Sequence, residues 1–479
     1  MQRKFLGNLF LLQALNWLVK PVWIFWIDRL AQVKLGDHWY GKYYVIFSFA
    51  LLFNILLDFG LNSFLTSNIA KTGSIGIAKK VIRFRLMLAV LFILLVLVIG
   101  LQQKLDPDIL GLVILNQVLA GFLLLVRSIL QGRHLFRTDS IISVTDRLIA
   151  ILLCSFFIYS QNFSARTGVF IFLIVQTAGY IGALIPASIA AFRNTKTSVG
   201  NAISPGYQAL IKQAGWFAVL AFAMSVFTRI DALMIRNFSK GGYVEAGIYA
   251  QSFRLLDAAL IFSSLISTLL LPVFSKMIVA KENTHTMVWL NIRIIWFVAL
   301  PAALAAYYFG AEILQFLYRK TYKDSVELYY SASIFFPVMF SFLVMGTVHV
   351  FGTWLTAAHR VKWLAFIAFF CILFNVAFNY YFIPQYGALA AAWSCFFTQL
   401  LFAGACMAGT MLLKGFTPQI QQVALTIIWI FVSVALFGIA RYFFDGIQAL
   451  FIAGIFYLFG TFAVGIFRAE LKKMLANKK

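Results

Sequence analysis

Apolar stretches long enough to cross a membrane recur along this chain from residue 5 to residue 467, and no polar domain separates them. The hydrocarbon core of a bilayer is about 30 Å thick, so a helix needs roughly 20 apolar residues to span it. Of the 479 residues, 62% are hydrophobic and only 11% are charged, whereas soluble domains average about 25% charged residues. We therefore expect an all-α integral membrane protein with about fourteen transmembrane helices.

The apolar runs are continuous, as in Leu86–Gly100, and do not alternate, which indicates helices and not barrel strands. The first run continues past Lys20 to Ile27 without a small-residue cleavage site, so we interpret it as a retained first span. The expected spans, with bounds good to about 2–4 residues, are 5–28, 42–66, 84–103, 109–132, 140–160, 168–192, 213–236, 246–275, 287–309, 329–356, 363–384, 386–413, 421–443 and 446–467.

Lysine and arginine in the loops predict the orientation of the chain. The side that holds both termini carries 23 of them, the opposite side carries 11, and five more lie within spans; this count assigns Lys42, Arg85, Arg236, Arg293 and Arg441, which fall inside expected spans, to the adjacent loops. The loop Lys71–Arg85 and the tail Arg468–Lys479 dominate this bias. The positive-inside rule then predicts an even number of spans with both termini in the cytoplasm. The net charge of +23 follows from these loops, so we expect no nucleic-acid partner.

A short internal repeat suggests how the helices are grouped. Tyr40–Tyr43 (YGKY) follows the first span, and Ala246–Tyr249 (AGIY) lies 206 residues later, after the seventh. Asp28 and Asp231 have nearly the same offset. We predict an N-terminal lobe of six spans (1–200), a C-terminal lobe of six spans (201–415), and two additional helices with a basic cytoplasmic tail (416–479).

Charged residues inside the spans are the strongest clue to function, because a charge at the bilayer centre costs roughly 2.5–3.5 kcal/mol even on the lenient insertion scale. We expect the cations to line a cavity between the halves that binds an anionic solute. Phosphate or diphosphate fits the guanidinium fork best. These candidate substrate-binding cations are Lys20, Arg127, Arg147, Arg229 and Arg254.

Acidic residues in the spans could couple transport to H⁺ or Na⁺, and the candidates are Asp58, Asp231 and Asp257; Asp146 is a further acid at depth. Structural roles stay open for several of these charges. Those near span ends can extend to the interface. Arg254 and Asp257 are three residues apart on one helical face and can pair with each other.

Motifs of soluble enzymes are absent from the sequence, including the phosphate-binding GxxxxGK[ST] loop, HExxH and GxSxG. The five histidines and four cysteines show no metal-ligand spacing. We therefore expect no catalytic residue, no metal and no cofactor other than a coupling ion. A polymerase or ligase would be expected to carry a large external loop, and the loops here are all short.

The segment Asn375–Gln399 (NVAFNYYFIPQYGALAAAWSCFFTQ) resembles the N-x-x-x-N-x-x-x-I-P-x-Y-G signature of the polysaccharide exporters of the multidrug/oligosaccharidyl-lipid/polysaccharide (MOP) superfamily. Asp58–Leu61 (DFGL) and Leu35–Tyr43 (LGDHWYGKY) are similar to further family motifs. Pro384 lacks an amide donor and Gly387 permits a tight turn, so we expect a helical hairpin there. These two residues and Asn375 and Asn379 are assigned structural roles.

This resemblance implies a lipid-linked oligosaccharide flippase, like the O-antigen flippases. Such a protein moves undecaprenyl-diphosphate-linked glycan across the bacterial inner membrane by alternating access, for O-antigen or capsule synthesis. Its partners would be membrane lipid, the lipid-linked oligosaccharide, and the polymerase and glycosyltransferases of the pathway. A cation-coupled multidrug exporter of the same superfamily and a peptidoglycan-precursor flippase remain alternatives.

Overall fold

The computed structural model describes residues 15–16, 18–72, 75–160, 163–193, 207–318 and 324–466, without the side chains of residues 158–160 and 207–214. Helices make up nearly all of these ranges, and no strand occurs in them. The predicted all-α membrane fold is therefore confirmed. Gln13, Trp17 and the tail Arg468–Lys479 lie outside the described residues.

We number the α-helices in chain order. A π-helical segment, Trp23–Asp28, leads without interruption into the first of them. The α-helices are α1 (Arg29–Leu52), α2 (Ile55–Asp58), α3 (Leu61–Thr72), α4 (Ala78–Gln102), α5 (Pro107–Gly132), α6 (Phe136–Ser160), α7 (Ala165–Phe192), α8 (Tyr207–Phe238), α9 (Tyr243–Val279), α10 (His285–Tyr318), α11 (Ser325–Ala357), α12 (Val361–Tyr386), α13 (Ala388–Leu412), α14 (Ile420–Phe443) and α15 (Gly446–Val464).

Twelve helices among the described residues are long and apolar enough to cross a membrane, or thirteen if Leu18–Leu52 and Ile55–Thr72, which meet at 47°, form one broken span. This is slightly fewer than the expected fourteen. The expected first span, 5–28, lies partly outside the described residues, and the bent pair covers the rest of it together with the expected span 42–66. The sequence analysis predicted a loop at residues 29–41. They are helical instead, apart from a break at Gly36, which has φ 70° and ψ 167°. Their polar side chains find partners within the protein, such as Asp28 for Tyr40 and Gln32.

The contacts divide the chain into two compact units. Unit 1 comprises Met1–Asn237 and Gly241–Gly247, and unit 2 comprises Phe238–Lys240 and Ile248–Lys479. Helices α1 to α8 thus belong to unit 1, and α10 to α15 belong to unit 2. The division into lobes at residue 200, with a separate C-terminal pair from residue 416, stays a prediction.

Helices α3, α4, α5 and α7 form one apolar core in unit 1. Leu61, Leu65 and Ile69 recur every four residues on α3, and they are at most 2% exposed. They pack with residues such as Ile129 of α5 and Ala187 of α7. Lipid tails are as apolar as these side chains, so close packing of small and branched residues holds such helices together in a bilayer.

Two glycines of the internal repeat mark a very close backbone approach within unit 1. A Cβ on Gly41 would lie 1.9 Å from the carbonyl oxygen of Tyr243, and one on Gly247 would lie 2.1 Å from that of Asp37. Adding the repeat offset of 206 residues to position 41 gives Gly247, and adding it to position 37 gives Tyr243. The two contacts are therefore equivalent, as expected where related segments pack about a pseudo-twofold axis.

In unit 2 the family signature forms the predicted hairpin. Asn375 and Asn379 are fully buried, and Asn379 donates to Asn375 Oδ1 at 3.2 Å, while Asn375 donates to Ser394 Oγ of α13 at 3.1 Å. Pro384 lies in the last turn of α12, and Gly387, with φ 57°, separates α12 from α13. These side chains fasten the two helices together.

Arg293 of α10 links α14 and the residues just after α15 to the rest of unit 2 by hydrogen bonds. Its side chain is fully buried, and it donates to the carbonyl oxygen of Ile466 at 2.9 Å and to that of Gln422 at 3.3 Å. The guanidinium carbon also lies 5.2 Å from the ring centroid of Trp289. The loop-charge count had placed Arg293 in a loop, so this cation was missed. The same is true of Arg85, which lies inside α4 and is 1% exposed.

Replacing Gly41 or Gly247 with Ala forces a side chain against backbone, which cannot move aside as a flexible side chain can. We expect each variant to lower the free energy of unfolding by about 1–3 kcal/mol or more, seen as a lower melting temperature of the purified protein. Gly111→Ala on α5 is the control, because a Cβ there meets nothing within 4 Å. Equal melting temperatures for all three variants would contradict the close approach.

Replacing Arg293 with Met removes two charge-assisted hydrogen bonds, each worth about 1.5–3 kcal/mol. We expect a lower melting temperature and faster proteolysis between α14 and α15. Arg441→Met is the matched control, since Arg441 makes a 41%-exposed surface ion pair with Glu312, a type worth about 0–1 kcal/mol. A larger effect at Arg441 than at Arg293 would argue against the fastening role.

Candidate functional site

Three of the predicted substrate-binding cations come together in unit 1. Lys20 lies on the helical turn before the π-helical segment, Arg127 lies on α5 and Arg147 on α6. Trp23, one turn beyond Lys20, packs against Arg147, with its ring centroid 4.9 Å from the guanidinium carbon, and Arg127 donates to Asp139, two turns before Arg147 on α6. Like charges repel, so such a grouping within membrane-spanning helices favours an anion that binds there.

A hydrogen bond connects the first span to α6. Asn16 is buried and donates to Ser143 Oγ at 3.0 Å. Lys20 is one helical turn further along on the same face. This hydrogen bond holds the helical turn that carries Lys20 close to the helix that carries Arg147.

Arg147 is held by two aromatic rings and one carboxylate. Its guanidinium carbon lies 4.9 Å from the ring centroid of Trp23 and 5.9 Å from that of Tyr180. Its Nε is 3.6 Å from Asp146 Oδ2, and Nη2 donates to the Tyr180 hydroxyl at 3.4 Å. Trp23 therefore packs on the arginine and also on Phe172. The ring centroids of Trp23 and Phe172 are 5.9 Å apart. This orients the guanidinium, whose planar fork suits phosphate oxygens.

Arg127 differs because a buried carboxylate neutralises it. Its Nε donates to Asp139 Oδ1 at 2.7 Å and its Nη2 to Oδ2 at 3.4 Å. Gln131 donates to the same Oδ2 at 2.9 Å. The Asp139 side chain is 1% exposed. The sequence analysis missed Asp139 because it precedes the expected span 140–160, although its position 12 residues from Arg127 across a short loop could have suggested the pair.

Asp58 lies beside a buried arginine that the sequence analysis did not select. Arg85 Nη1 is 3.6 Å from Asp58 Oδ1, and Arg85 Nη2 donates to the carbonyl oxygen of Gly121 at 2.7 Å. A Cβ on Gly121 would lie 2.8 Å from Nη2, so the glycine makes room for the guanidinium. Asp58 is 44% exposed. It ends α2, and Phe59 and Gly60 follow with positive φ, which forms the turn of the DFGL motif.

Asp28 is a buried carboxylate that the sequence analysis noted only as part of the repeat. It is 2% exposed and closes the π-helical segment. The Tyr40 hydroxyl donates to its Oδ1 at 2.9 Å, and Gln32 Nε2 donates to its Oδ2 at 3.4 Å. The α1 helix thus satisfies this charge with neutral donors.

The remaining predicted residues lie on α8 and α9. On α8 of unit 1, Arg229 is half-buried and Asp231 is 1% exposed. In unit 2, Arg254 Nη1 lies 3.5 Å from Asp257 Oδ2 on α9, so the pair expected from their three-residue spacing is present.

No group of histidine, cysteine, aspartate or glutamate in the described ranges could hold a metal ion. The four cysteines are buried and unbridged.

Comparison with known proteins identifies the family. Residues 7–278 match the family described as polysaccharide biosynthesis protein. No curated protein sequence matches the chain.

Three solved structures share the fold at low sequence identity. The lipid II flippase MurJ, in an inward closed conformation, has a TM-score of 0.70 at 13% identity, with 98% of this chain and 99% of that chain covered. An inward-facing multidrug-resistance MATE transporter of the MOP superfamily has a TM-score of 0.64 at 14% identity, covering 81% and 94%. A MOP transporter from Pyrococcus furiosus, reported with a binding pocket of reversed polarity, has a TM-score of 0.58 at 14% identity, covering 86% and 96%.

These structural likenesses establish the fold, and the sequence match covers more than half of the chain. The chain is therefore a multi-pass membrane protein of the polysaccharide biosynthesis protein family, and its fold is that of MOP-superfamily transporters, not of a catalytic enzyme.

Proposed function

We propose that this protein flips an undecaprenyl-diphosphate-linked oligosaccharide from the cytoplasmic to the outer leaflet of the bacterial inner membrane, for O-antigen or capsule synthesis. The observation that carries the proposal is the grouping of Lys20, Arg127 and Arg147 in unit 1, where the helical stretch of Lys20 and the helix of Arg127 both contact α6, the helix of Arg147. The family match supports a role in polysaccharide synthesis.

In this proposal Lys20 and Arg147 hold the diphosphate. The Lys20 ammonium acts as a point charge, and the guanidinium of Arg147 offers two parallel N–H donors. Trp23 and Tyr180 fix the arginine plane before the substrate arrives, so little side-chain entropy is lost on binding. At about 4 Å, a charge pair in a partly buried site is worth on the order of 4 kcal/mol before desolvation is subtracted.

The remaining charges take supporting roles. Arg229 and Arg254 assist with the anionic cargo as the transporter changes conformation by alternating access, while the lipid tail stays in the bilayer. Asp58, Asp231 and Asp257 are the candidates for H⁺ or Na⁺ coupling. The basic loops place both termini in the cytoplasm, where the glycosyltransferases would deliver the substrate; the polymerase would act after transport.

The alternative cargo is a peptidoglycan precursor, which also carries a diphosphate lipid. It is favoured by the full-length likeness to the lipid II flippase MurJ. A cation-coupled multidrug exporter is the other alternative, favoured by the MATE likeness. Such an exporter needs acidic or aromatic sites for cationic drugs. The group formed by Lys20, Arg127 and Arg147 has three cations beside the two carboxylates of Asp139 and Asp146.

Deleting the gene should abolish long-chain surface polysaccharide while the cells continue to divide, measured by gel analysis of extracted glycan. Intact long-chain glycan in the deletion strain would contradict the proposal. Rescue of a strain depleted of its lipid II flippase would instead establish the peptidoglycan alternative.

Lys20→Ala and Arg147→Ala should each lower surface glycan at least about tenfold at unchanged protein level, since a hydrogen bond to a charged group is worth about 1.5–3 kcal/mol. The matched control is Lys34→Ala, because Lys34 is exposed on the same helical stretch. Lys20→Arg keeps the charge and should retain part of the activity. Glycan at the wild-type level in both alanine variants would show that these cations do not bind the diphosphate.

A further inference from the structure

A cleft of about 450 Å³ lies between α3 and α5 in unit 1, and neither Lys20 nor Arg147 is among its lining residues. This volume falls within the roughly 300–1,000 Å³ typical of small-ligand sites. Seven of its eight lining residues carry a polar side chain, one of them a guanidinium, although carbon atoms make up most of the lining surface. The lining residues used below are Asn62, Ser63, Thr66, Ser67, Arg127 and Gln131.

The polar side of α3 explains why this cleft exists. Leu61, Leu65 and Ile69 bury the opposite side of the helix in the apolar core. Ser63 and Ser67, one turn apart, are exposed. Polar side chains at membrane depth face protein or water and not lipid. The exposed polar side of α3 therefore forms one wall of the cleft.

The charge of the cleft is close to neutral although it contains an arginine. Arg127 and Gln131 both donate to Asp139, which is 1% exposed, so a buried carboxylate compensates the guanidinium. An arginine paired in this way offers oriented N–H donors without a net positive charge. The cleft is thus poorly suited to a bare diphosphate and well suited to neutral groups that both donate and accept hydrogen bonds.

One acceptor in the cleft is buried and still lacks a donor. Within the described part of the chain, Asn62 Oδ1 accepts no hydrogen bond. An unsatisfied buried polar atom costs about 1–3 kcal/mol, and rotation of the Asn62 side chain toward the cleft would let a hydroxyl of a bound molecule donate to it. Thr66 already donates to the carbonyl oxygen of Ser128 at 3.0 Å, which leaves its oxygen able to accept a further bond.

The position of the cleft fits the start of a transport cycle. Its α5 residues lie in the last turns of that helix, and its α3 residues run from the first turn at Asn62 to the middle of the helix at Ser67, from which α3 continues to the basic loop between α3 and α4. The positive-inside rule assigns that loop to the cytoplasmic side, where the glycan would be attached to its lipid.

We propose that this cleft binds the hydroxyl and acetamido groups of the sugars next to the diphosphate, while Lys20 and Arg147 bind the diphosphate itself. The inference rests on the proposed function and adds that separate residues of unit 1 bind the sugars and the diphosphate. Arg127, expected from the sequence to contact the diphosphate, becomes a sugar-binding residue whose charge Asp139 cancels.

The test uses the purified full-length protein in lipid nanodiscs, because maltoside detergents carry sugar hydroxyls of their own. Binding of undecaprenyl diphosphate is compared with that of undecaprenyl-diphosphate N-acetylglucosamine by native mass spectrometry. The wild type should bind the sugar-bearing lipid about tenfold more tightly, the effect of one or two additional hydrogen bonds.

The double variant Ser63→Ala/Ser67→Ala should lose that preference and bind the bare diphosphate lipid as the wild type does. Both serines are exposed, so the substitution removes hydroxyls without opening the core. Thr72→Ala is the control, being exposed on the same helix and outside the cleft. Lys20→Ala should weaken both lipids equally.

Asp139→Asn provides an independent test of charge cancellation. It keeps the shape of the side chain but leaves the charge of Arg127 uncompensated, so the bare diphosphate lipid should bind more tightly and the preference for the sugar should shrink. If this buried substitution prevents folding, the serine variant still decides the matter.

The outcomes separate the two proposals. A wild type that binds both lipids equally, or a serine double variant that keeps the wild-type preference, overturns the sugar cleft and leaves the flippase proposal standing. A wild type that binds neither lipid overturns the proposed function and the sugar cleft together.

Discussion

Charges inside a bilayer must be satisfied by the protein, because the hydrocarbon offers neither water nor counter-ions. The cations described above in the helices satisfy this constraint in two ways. Arg85 and Arg293 are fully buried, and backbone carbonyl oxygens of other helices accept their hydrogen bonds. They serve as fasteners between helices. Lys20 and Arg147 instead lie near Arg127, with Asp139 bonded to Arg127 and Asp146 beside Arg147.

The same constraint explains why acidic residues matter as much as cations here. Asp139 converts Arg127 from a free charge into a neutral, oriented donor group. Asp146 lies 3.6 Å from Arg147 without enclosing it, and Trp23 and Tyr180 hold the guanidinium in place. The charge that each arginine of unit 1 presents therefore depends on how it is paired. Counting arginines in the spans cannot reveal that pairing.

Close helix packing supplies the framework for these sites. Lipid gives little hydrophobic drive for association, so helices approach where small residues permit it. Gly41 and Gly247 allow backbone contact at equivalent positions of a repeat, and Gly121 opens space for Arg85. The buried asparagines of α12 perform the corresponding task in unit 2 by hydrogen bonding to Ser394 and to each other.

Hydrophobicity, helical periodicity and turn-forming residues are properties of neighbouring residues along the chain, and they determine the features of the structure that depend on such neighbours. The sequence by itself therefore predicted the all-α membrane fold, most helix positions, the Pro384–Gly387 hairpin and the Arg254–Asp257 pair. Tertiary structure alone decided that residues 29–41 are helical, that Arg85 and Arg293 are buried, and that Asp139 neutralises Arg127. Each of these depends on partners supplied by other helices, and the strength of an ionic or hydrogen-bonding contact depends on distance in space, which residue spacing along the chain does not encode.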